Sequence, residues 1–175
     1  MIRKLVVVAM GKAPRGLLEA AGAKASQAFA LEPVFGVGLA DPTYAYNPQR
    51  GQYHAAAILR KLTKVRKDDE IVLGVGTFSL FDPDEETLIV DGDRDARTAV
   101  LGSAYVDGGR PERLLDRVAH AAVVGVGKAL GLRECHDPRC AMASISHPSN
   151  LDKRTGRLCA MCEVNFAKGD KAWAR

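Results

Sequence analysis

The sequence predicts an α/β (α+β) fold in which helices pack on a mixed, twisted β-sheet. Three observations support this fold class. Apolar, β-branched runs of strand length alternate with amphipathic stretches in the first part of the chain. A succession of short apolar runs follows without intervening helical patterns, which is typical of neighbouring strands. A long amphipathic stretch then precedes a tail rich in turn-forming residues, and we expect this tail to be loop-rich.

The first part of the chain predicts two strands and two helices. Residues 4–10 (KLVVVAM) form an apolar run of strand length that ends at Gly11. A helix over 15–30 and a second strand over 34–39 come next. Residues 52–67 have the clearest helical spacing of apolar positions, with basic residues on the other face, so we predict an amphipathic helix there.

The second part predicts three more strands and one long helix. The strands are expected within 70–81, 87–90 and 98–106. Turn formers at Asp107, Gly108 and Gly109 mark a break, and a helix is predicted over 112–130. Gly131 is placed to end that helix in a left-handed conformation, which glycine adopts without steric cost.

Length and composition indicate one domain over 1–175, made of a sheet-and-helix part (1–131) and a C-terminal part (132–175). A chain of 175 residues with 47% hydrophobic residues can bury one core. The apolar run near the N-terminus is too short to span a bilayer and has no small-residue cleavage site, so we expect a cytoplasmic protein without a membrane anchor. The net charge of +4 is mild and spread along the chain, and the sequence specifies no oligomeric state.

All four cysteines of the chain fall between residues 135 and 162. They form a Cys-x4-Cys pair, Cys135 and Cys140, and a Cys-x2-Cys pair, Cys159 and Cys162. In a reducing compartment this clustering favours one tetrahedral zinc ion over disulfides. Four thiolates leave no position for water, so the predicted Zn²⁺ is structural. The alternatives are four unrelated thiols, or a redox pair of Cys159 and Cys162.

The segments GLRECHDPRCAM (131–142) and CAMC (159–162) resemble the archaemetzincins, zinc metallopeptidases of the metzincin type. The family signature is H-E-x-x-H-x-x-G-x-x-H followed at once by Cys, then x4-Cys-x-Met and a later Cys-x-x-Cys. Weaker likeness extends upstream through YNPQRGQYHAAAIL and VLGV. The resemblance implies a metzincin-like fold with an active-site helix, a peptide cleft in which substrate adds to the sheet edge, and Met142 as the methionine beneath the catalytic zinc.

The same alignment shows that the catalytic residues of the family are changed. Aligned on Gly131, the first histidine corresponds to Val124, the glutamate to Gly125, the second histidine to Lys128 and the third histidine to Glu134. Three histidine nitrogens would hold the ion and the glutamate would act as general base. Only Glu134 could still ligate, so we predict that the catalytic Zn²⁺ is absent and that the chain has no catalytic residues.

The remaining histidines do not rebuild a zinc site. His54, His120, His136 and His147 lack the convergent spacing that a metal site requires, and we expect them at the surface or supporting other residues. We also predict that Lys128 and Glu134 form an ion pair in place of the histidine–zinc link; the alternative is that both side chains extend into solvent.

The glycines around residue 125 do not form a nucleotide-binding loop. VVGVGKAL lacks the first glycine and the final hydroxyl residue of a phosphate loop, at Ala122 and Ala129. We expect Gly125 and Gly127 to allow close helix packing instead.

These observations favour a family member without hydrolytic activity that binds a peptide or protein segment in the cleft, or has a regulatory role. One alternative is an active zinc metallopeptidase of unusual metal geometry. Another is a zinc-stabilised nucleic-acid-binding module, which the basic pI of 8.9 motivates. Acidic residues interleaved over 82–95 and the lack of an aromatic–basic stripe place a nucleic-acid partner last.

Overall fold

The computed structural model describes residues 1–106 and 109–173, so Asp107 and Gly108 of the predicted break lie outside the described residues. The strands are β1 (Lys4–Ala9), β2 (Glu32–Phe35), β3 (Tyr46–Asn47), β4 (Gln52–His54), β5 (Glu70–Gly76), β6 (Leu80–Asp82), β7 (Glu85–Leu88), β8 (Val90–Asp93) and β9 (Thr98–Gly102). The helices are α1 (Arg15–Phe29), α2 (Ala55–Leu62), α3 (Pro111–Ala129) and α4 (Ala160–Trp173). Two short 3₁₀ helices span Thr43–Ala45 and Pro148–Lys153.

The strands form two sheets. The larger sheet has the order β2-β1-β5-β9-β8, and the smaller sheet has the order β3-β4-β6-β7. In the larger sheet β1, β2, β5 and β9 are parallel, whereas β8 pairs antiparallel with β9 at one edge. The prediction of a mixed α/β sheet with packed helices is therefore confirmed.

Helices cover both faces of the larger sheet. The central strand β5 is buried at every position, as expected for a strand between two helical layers. Helices α1 and α3 pack on each other and on the sheet, and their apolar faces share one core cluster with β1, β5 and β9. Helix α2 contributes to a second cluster, with Ile58, Leu59 and Leu62 as its buried face.

The long helix and its end agree with the sequence. Helix α3 begins one residue before the predicted start, and Gly131 follows it with φ = 88°, the left-handed conformation expected of a glycine cap. Close packing at Gly127 is confirmed as well. A Cβ atom built there would lie 2.2 Å from Sδ of Met142 and 3.1 Å from Cζ of Phe29.

Several predicted elements were wrong in extent or type. The run over 87–90 is divided between β7 and β8, which lie in different sheets. Residues 52–54 form β4 rather than the start of a helix, because Tyr53 pairs with Tyr46 and Leu80 in the smaller sheet. The second strand ends at Phe35, because the apolar run over 34–39 continues into an exposed loop in which Val37 is 89% exposed. The tail also contains more regular structure than expected, since helix α4 follows Cys159.

Helix α4 is fixed to the core by aromatic packing. The rings of Phe29 and Phe166 meet edge to face with centroids 5.3 Å apart. Within residues 1–106 and 109–173, no helix combines the length and the apolar character that crossing a membrane requires.

Candidate metal centre and the adjoining cleft

The four cysteines converge beside the end of α3. Their Sγ atoms all lie within 4.8 Å of one another, and those of Cys135 and Cys159 are 3.7 Å apart. Four sulfurs at about 2.3 Å from a central zinc would be separated by about 3.8 Å, the edge of the tetrahedron. Cys140 and Cys162 are buried and the other two are half-buried. The arrangement could therefore hold one tetrahedral metal ion.

Local backbone structure places these sulfurs. The turn that carries Cys135 and Cys140 is closed by a hydrogen bond from the Cys135 amide to the Met142 carbonyl, at 2.8 Å. Cys159 precedes α4 and Cys162 lies in its first turn, so the Cys-x2-Cys spacing places both sulfurs at one helix end. The predicted cysteine set is thus brought together as a single cluster.

Hydrogen bonds and burial act in opposite directions on the charge of the thiols. The amides of Met142 and Cys159 donate to Sγ of Cys140 at 3.4 and 3.3 Å. Burial raises the pKa of the Cys140 and Cys162 thiols, so thiolates at these positions need a compensating positive charge. A backbone hydrogen bond from Cys162 is the main reason that the pKa of Cys159 falls to about 7. A bound zinc ion would supply the positive charge that such a donor set requires.

Arg154 connects the cysteine cluster to the neighbouring turn. Its guanidinium group is buried and donates to the carbonyls of Ala141 and Ser144 at 3.1 and 3.0 Å. The Cys140 thiolate and Glu134 favour its charged form, although burial is the larger effect and lowers its pKa. Sequence analysis missed Arg154, because no spacing rule relates it to the cysteines.

A pocket of about 230 Å³ lies between the β7–β8 edge and α3. It is lined by Glu85, Leu88, Ile89, Val90, Val124, Lys128, Glu134, Ser144, Ile145 and Ser146. Three of the four positions aligned with the family's catalytic residues therefore meet in one cleft: Val124, Lys128 and Glu134.

Lys128 forms two ion pairs in this cleft. Its Nζ lies 3.0 Å from Oε1 of Glu134 and 3.4 Å from Oδ1 of Asp91. The predicted pair with Glu134 is confirmed, and Asp91 is an additional partner. Burial lowers the pKa of Lys128, but the hydrogen bond to Glu134 and the two negative charges outweigh it and the pKa is raised. Lys128 therefore remains a cation in the cleft.

Gly125 does not line the cleft but faces the sheet edge. A Cβ atom built on Gly125 would lie 2.5 Å from Cγ2 of Val90, 3.3 Å from the carbonyl oxygen of Asp91 and 3.4 Å from Cβ of Ala99. The expectation that this glycine allows close helix packing is confirmed. The position aligned with the family's glutamate has no room for a larger side chain without movement of β8.

The histidines are dispersed. His54 stacks on Phe81, His147 bonds Ser149, and His136 is exposed. His120 is half-buried, and burial is the main reason that its pKa is lowered. Within 1–106 and 109–173, one group of three or more His, Cys, Asp or Glu side chains is placed to hold a metal, and it is the cysteine cluster. The cleft's residues do not fit a catalytic zinc, because the positions aligned with the first two histidines carry Val124, which has no ligand atom, and the ammonium group of Lys128.

The fold and the site define a metzincin-like protein: a mixed sheet, a long helix beneath a cleft at its edge, and a four-cysteine cluster beyond that helix. The model of peptidase family M54 matches residues 24–168, and the chain belongs to this family, that of the archaemetzincins. The resemblance seen in the cysteine segments is thereby confirmed.

Relatives and solved structures agree with this assignment. The archaemetzincin of Methanopyrus kandleri is 30% identical over 121 residues, 69% of each chain, and that of Methanocaldococcus jannaschii is 28% identical over 130 residues, again 69% of each. The crystal structure of the M. kandleri archaemetzincin superimposes with a TM-score of 0.86 at 26% identity, covering 97% of this chain and 96% of that one. A zinc-dependent peptidase from Methanocorpusculum labreanum shares the fold, with a TM-score of 0.83 at 20% identity and coverage of 93% and 99%.

Proposed function

We propose that this chain is an archaemetzincin-family protein that binds one structural zinc at Cys135, Cys140, Cys159 and Cys162, does not hydrolyse peptides, and binds an extended peptide or protein segment in its cleft. The observation that carries the proposal is the ammonium group of Lys128, which lines the cleft and is paired with Glu134 and Asp91. A protonated ammonium has no lone pair, so Lys128 cannot serve as a metal ligand at the position aligned with the second histidine.

The absence of a general base supports the same proposal. Metallopeptidases need a carboxylate that takes a proton from the attacking water. Gly125 has no side chain at the aligned position, and Val90 closes the space that a carboxylate would need. Glu134 lies in the cleft, but its carboxylate is engaged by Lys128. Among the residues that the structure describes in the cleft, neither the family's ligand set nor its base is therefore present.

The sheet edge beside the cleft supports peptide binding. Strand β8 is the terminal strand of the larger sheet. The Gly102 amide donates to the Ile89 carbonyl at 2.9 Å, and Val90 stands opposite Leu101. Residues of an antiparallel strand alternate between bonding the neighbouring strand and turning their N–H and C=O away from it. Ile89 bonds β9, so the N–H and C=O of Val90 face away from β9. Gly92, two residues on, has the same outward orientation and is partly exposed, so an extended segment could bond there as an added strand.

Metal content and activity together test the proposal. Protein purified under reducing conditions should contain one zinc per chain by mass spectrometry and should cleave none of a set of quenched fluorescent peptides. Zinc near two per chain together with cleavage would instead establish an active peptidase.

A triple variant tests whether the second zinc is missing because its ligands are missing or because the cleft cannot accept an ion. The variant with Val124→His, Lys128→His and Glu134→His offers three imidazoles in the cleft, and its zinc content should rise towards two per chain. Matched measurements on Lys128→Gln, which removes the cation without adding a nitrogen ligand, should remain at one.

A further inference from the structure

The cleft carries more negative than positive charge. Its lining and the contacts of Lys128 include Glu85, Glu134 and Asp91 against the single cation Lys128. The sequence around it has the same bias, since residues 82–95 contain seven acids and one arginine in a chain whose net charge is +4. The cleft is thus an acidic region on a basic protein.

The cleft's own cation does not neutralise these acids. Lys128 is shared between two carboxylates, and the side chain of Glu134 remains 43% exposed. Glu85 is exposed at the cleft. Among residues 1–106 and 109–173, none of the salt bridges involves Glu85. Carboxylate oxygens at Glu85 and Glu134 are therefore accessible to a cation that enters from solvent.

The rest of the lining suits a long aliphatic side chain. Ile145 is half-buried and provides apolar surface in the lining, which also includes the buried side chains of Leu88 and Val124. Lysine and arginine place apolar stems on such surfaces while their charged ends reach polar groups. The pocket of about 230 Å³ is large enough for one such side chain.

We propose that the cleft selects an extended segment that carries a lysine or arginine side chain, whose stem packs against Ile145 and whose cationic group meets Glu85 and Glu134. This inference rests on the proposed peptide-binding function and names the class of segment that the cleft prefers. An acidic segment would place like charges together and is disfavoured.

The test uses N-acetylated, C-amidated hexapeptides of alternating valine and threonine that carry lysine, norleucine or glutamate at the third position. Blocking both ends restricts the comparison to the side chain. Titration calorimetry on the zinc-loaded protein should show the lysine peptide binding about fivefold more tightly than the norleucine peptide, the size of one favourable exposed ion pair, and the glutamate peptide binding most weakly. The advantage of lysine should decrease in high salt.

Two variants locate the effect. Glu85→Gln should reduce the preference for lysine over norleucine about threefold, as expected from the loss of one exposed charge. The matched control is Glu32→Gln, because Glu32 is exposed on β2 at the opposite edge of the sheet and should leave the preference unchanged.

The outcomes distinguish this inference from the proposed function. Equal binding of the three peptides, or tighter binding of the glutamate peptide, would overturn the charge preference and leave peptide binding intact. Binding of none would overturn both. Cleavage of the peptides would contradict the loss of activity while the relative rates still reported the charge preference.

Discussion

Replacing Gly125 by alanine tests whether α3 is held so close to β8 that the family's base cannot return. Alanine in place of glycine inside a helix normally stabilises it by about 1 kcal/mol. Here the added Cβ would meet Cγ2 of Val90 at 2.5 Å, and valine is stiff because it is β-branched. Overpacking of this kind costs about 1–3 kcal/mol. We therefore expect a net loss of about 1 kcal/mol.

The control is the same substitution where there is space. Gly169 lies in α4, and the nearest atom to a Cβ built there is the carbonyl oxygen of Leu130 at 3.9 Å. Gly169→Ala should stabilise the protein by about 0.5–1 kcal/mol, since only the helical preference changes. Urea unfolding at fixed zinc concentration measures both variants, because bound ligand shifts apparent stability.

The two variants should differ in free energy of unfolding by about 2 kcal/mol, or roughly 4–8 °C in melting temperature for a chain of this size. If Gly125→Ala stabilised the protein as much as Gly169→Ala, there would be room for a methyl group between α3 and Val90. The steric argument against a restored glutamate would then be refuted.

Three further predictions concern the metal centre and two ion pairs. Cys140→Ser should lower zinc content from one per chain to near zero by mass spectrometry, whereas His136→Ala should leave it unchanged. Lys128→Met should cost about 1–3 kcal/mol in urea unfolding at pH 7 because two carboxylates lose their cation. Because the pKa of Lys128 is raised above 10.5, that difference should persist through neutral pH and disappear only as pH rises through the raised value. Asp152→Asn should cost about 1 kcal/mol at pH 7, since Asp152 accepts two hydrogen bonds from Arg117 and is partly exposed. The hydrogen bonds from Arg117 are the main reason that the pKa of Asp152 lies below 3.8, so this difference should vanish as pH falls through the lowered value.

Much of the candidate site could be predicted because its signals are local in sequence. The spacing within each cysteine pair and the turn at Gly131 involve residues within a few positions of one another, where short-range geometry fixes which side chains can meet. The pair of Lys128 and Glu134 was predictable for the same reason, since both lie within two turns of the end of α3. The sheet core was also predictable, because its strands are continuous apolar runs.

The rest depends on contacts between distant segments. Asp91 is 37 residues from Lys128 and meets it only because β8 is the edge strand beside α3. The region 52–54 has helical spacing but forms β4, because cross-strand pairing and the hydrogen bond from Gln52 to the Glu86 carbonyl, at 3.0 Å, outweigh local preference. No pattern within one segment contains this information.

The changes at Gly125 and Lys128, two positions of the altered motif, have linked structural effects. Removing the side chain at position 125 lets α3 approach β8 until Val90 fills the space, and the same approach places Asp91 within reach of Lys128. Close packing and the ion pair thus support each other, so reverting one position alone should be unfavourable. A glutamate at 125 would separate helix from strand and weaken the Lys128–Asp91 pair, whereas a histidine at 128 would leave Asp91 and Glu134 without their shared cation. Recovery of a bound metal should therefore require positions 124, 128 and 134 to change together, whereas recovery of the base also requires a change at 125 with movement of the sheet edge.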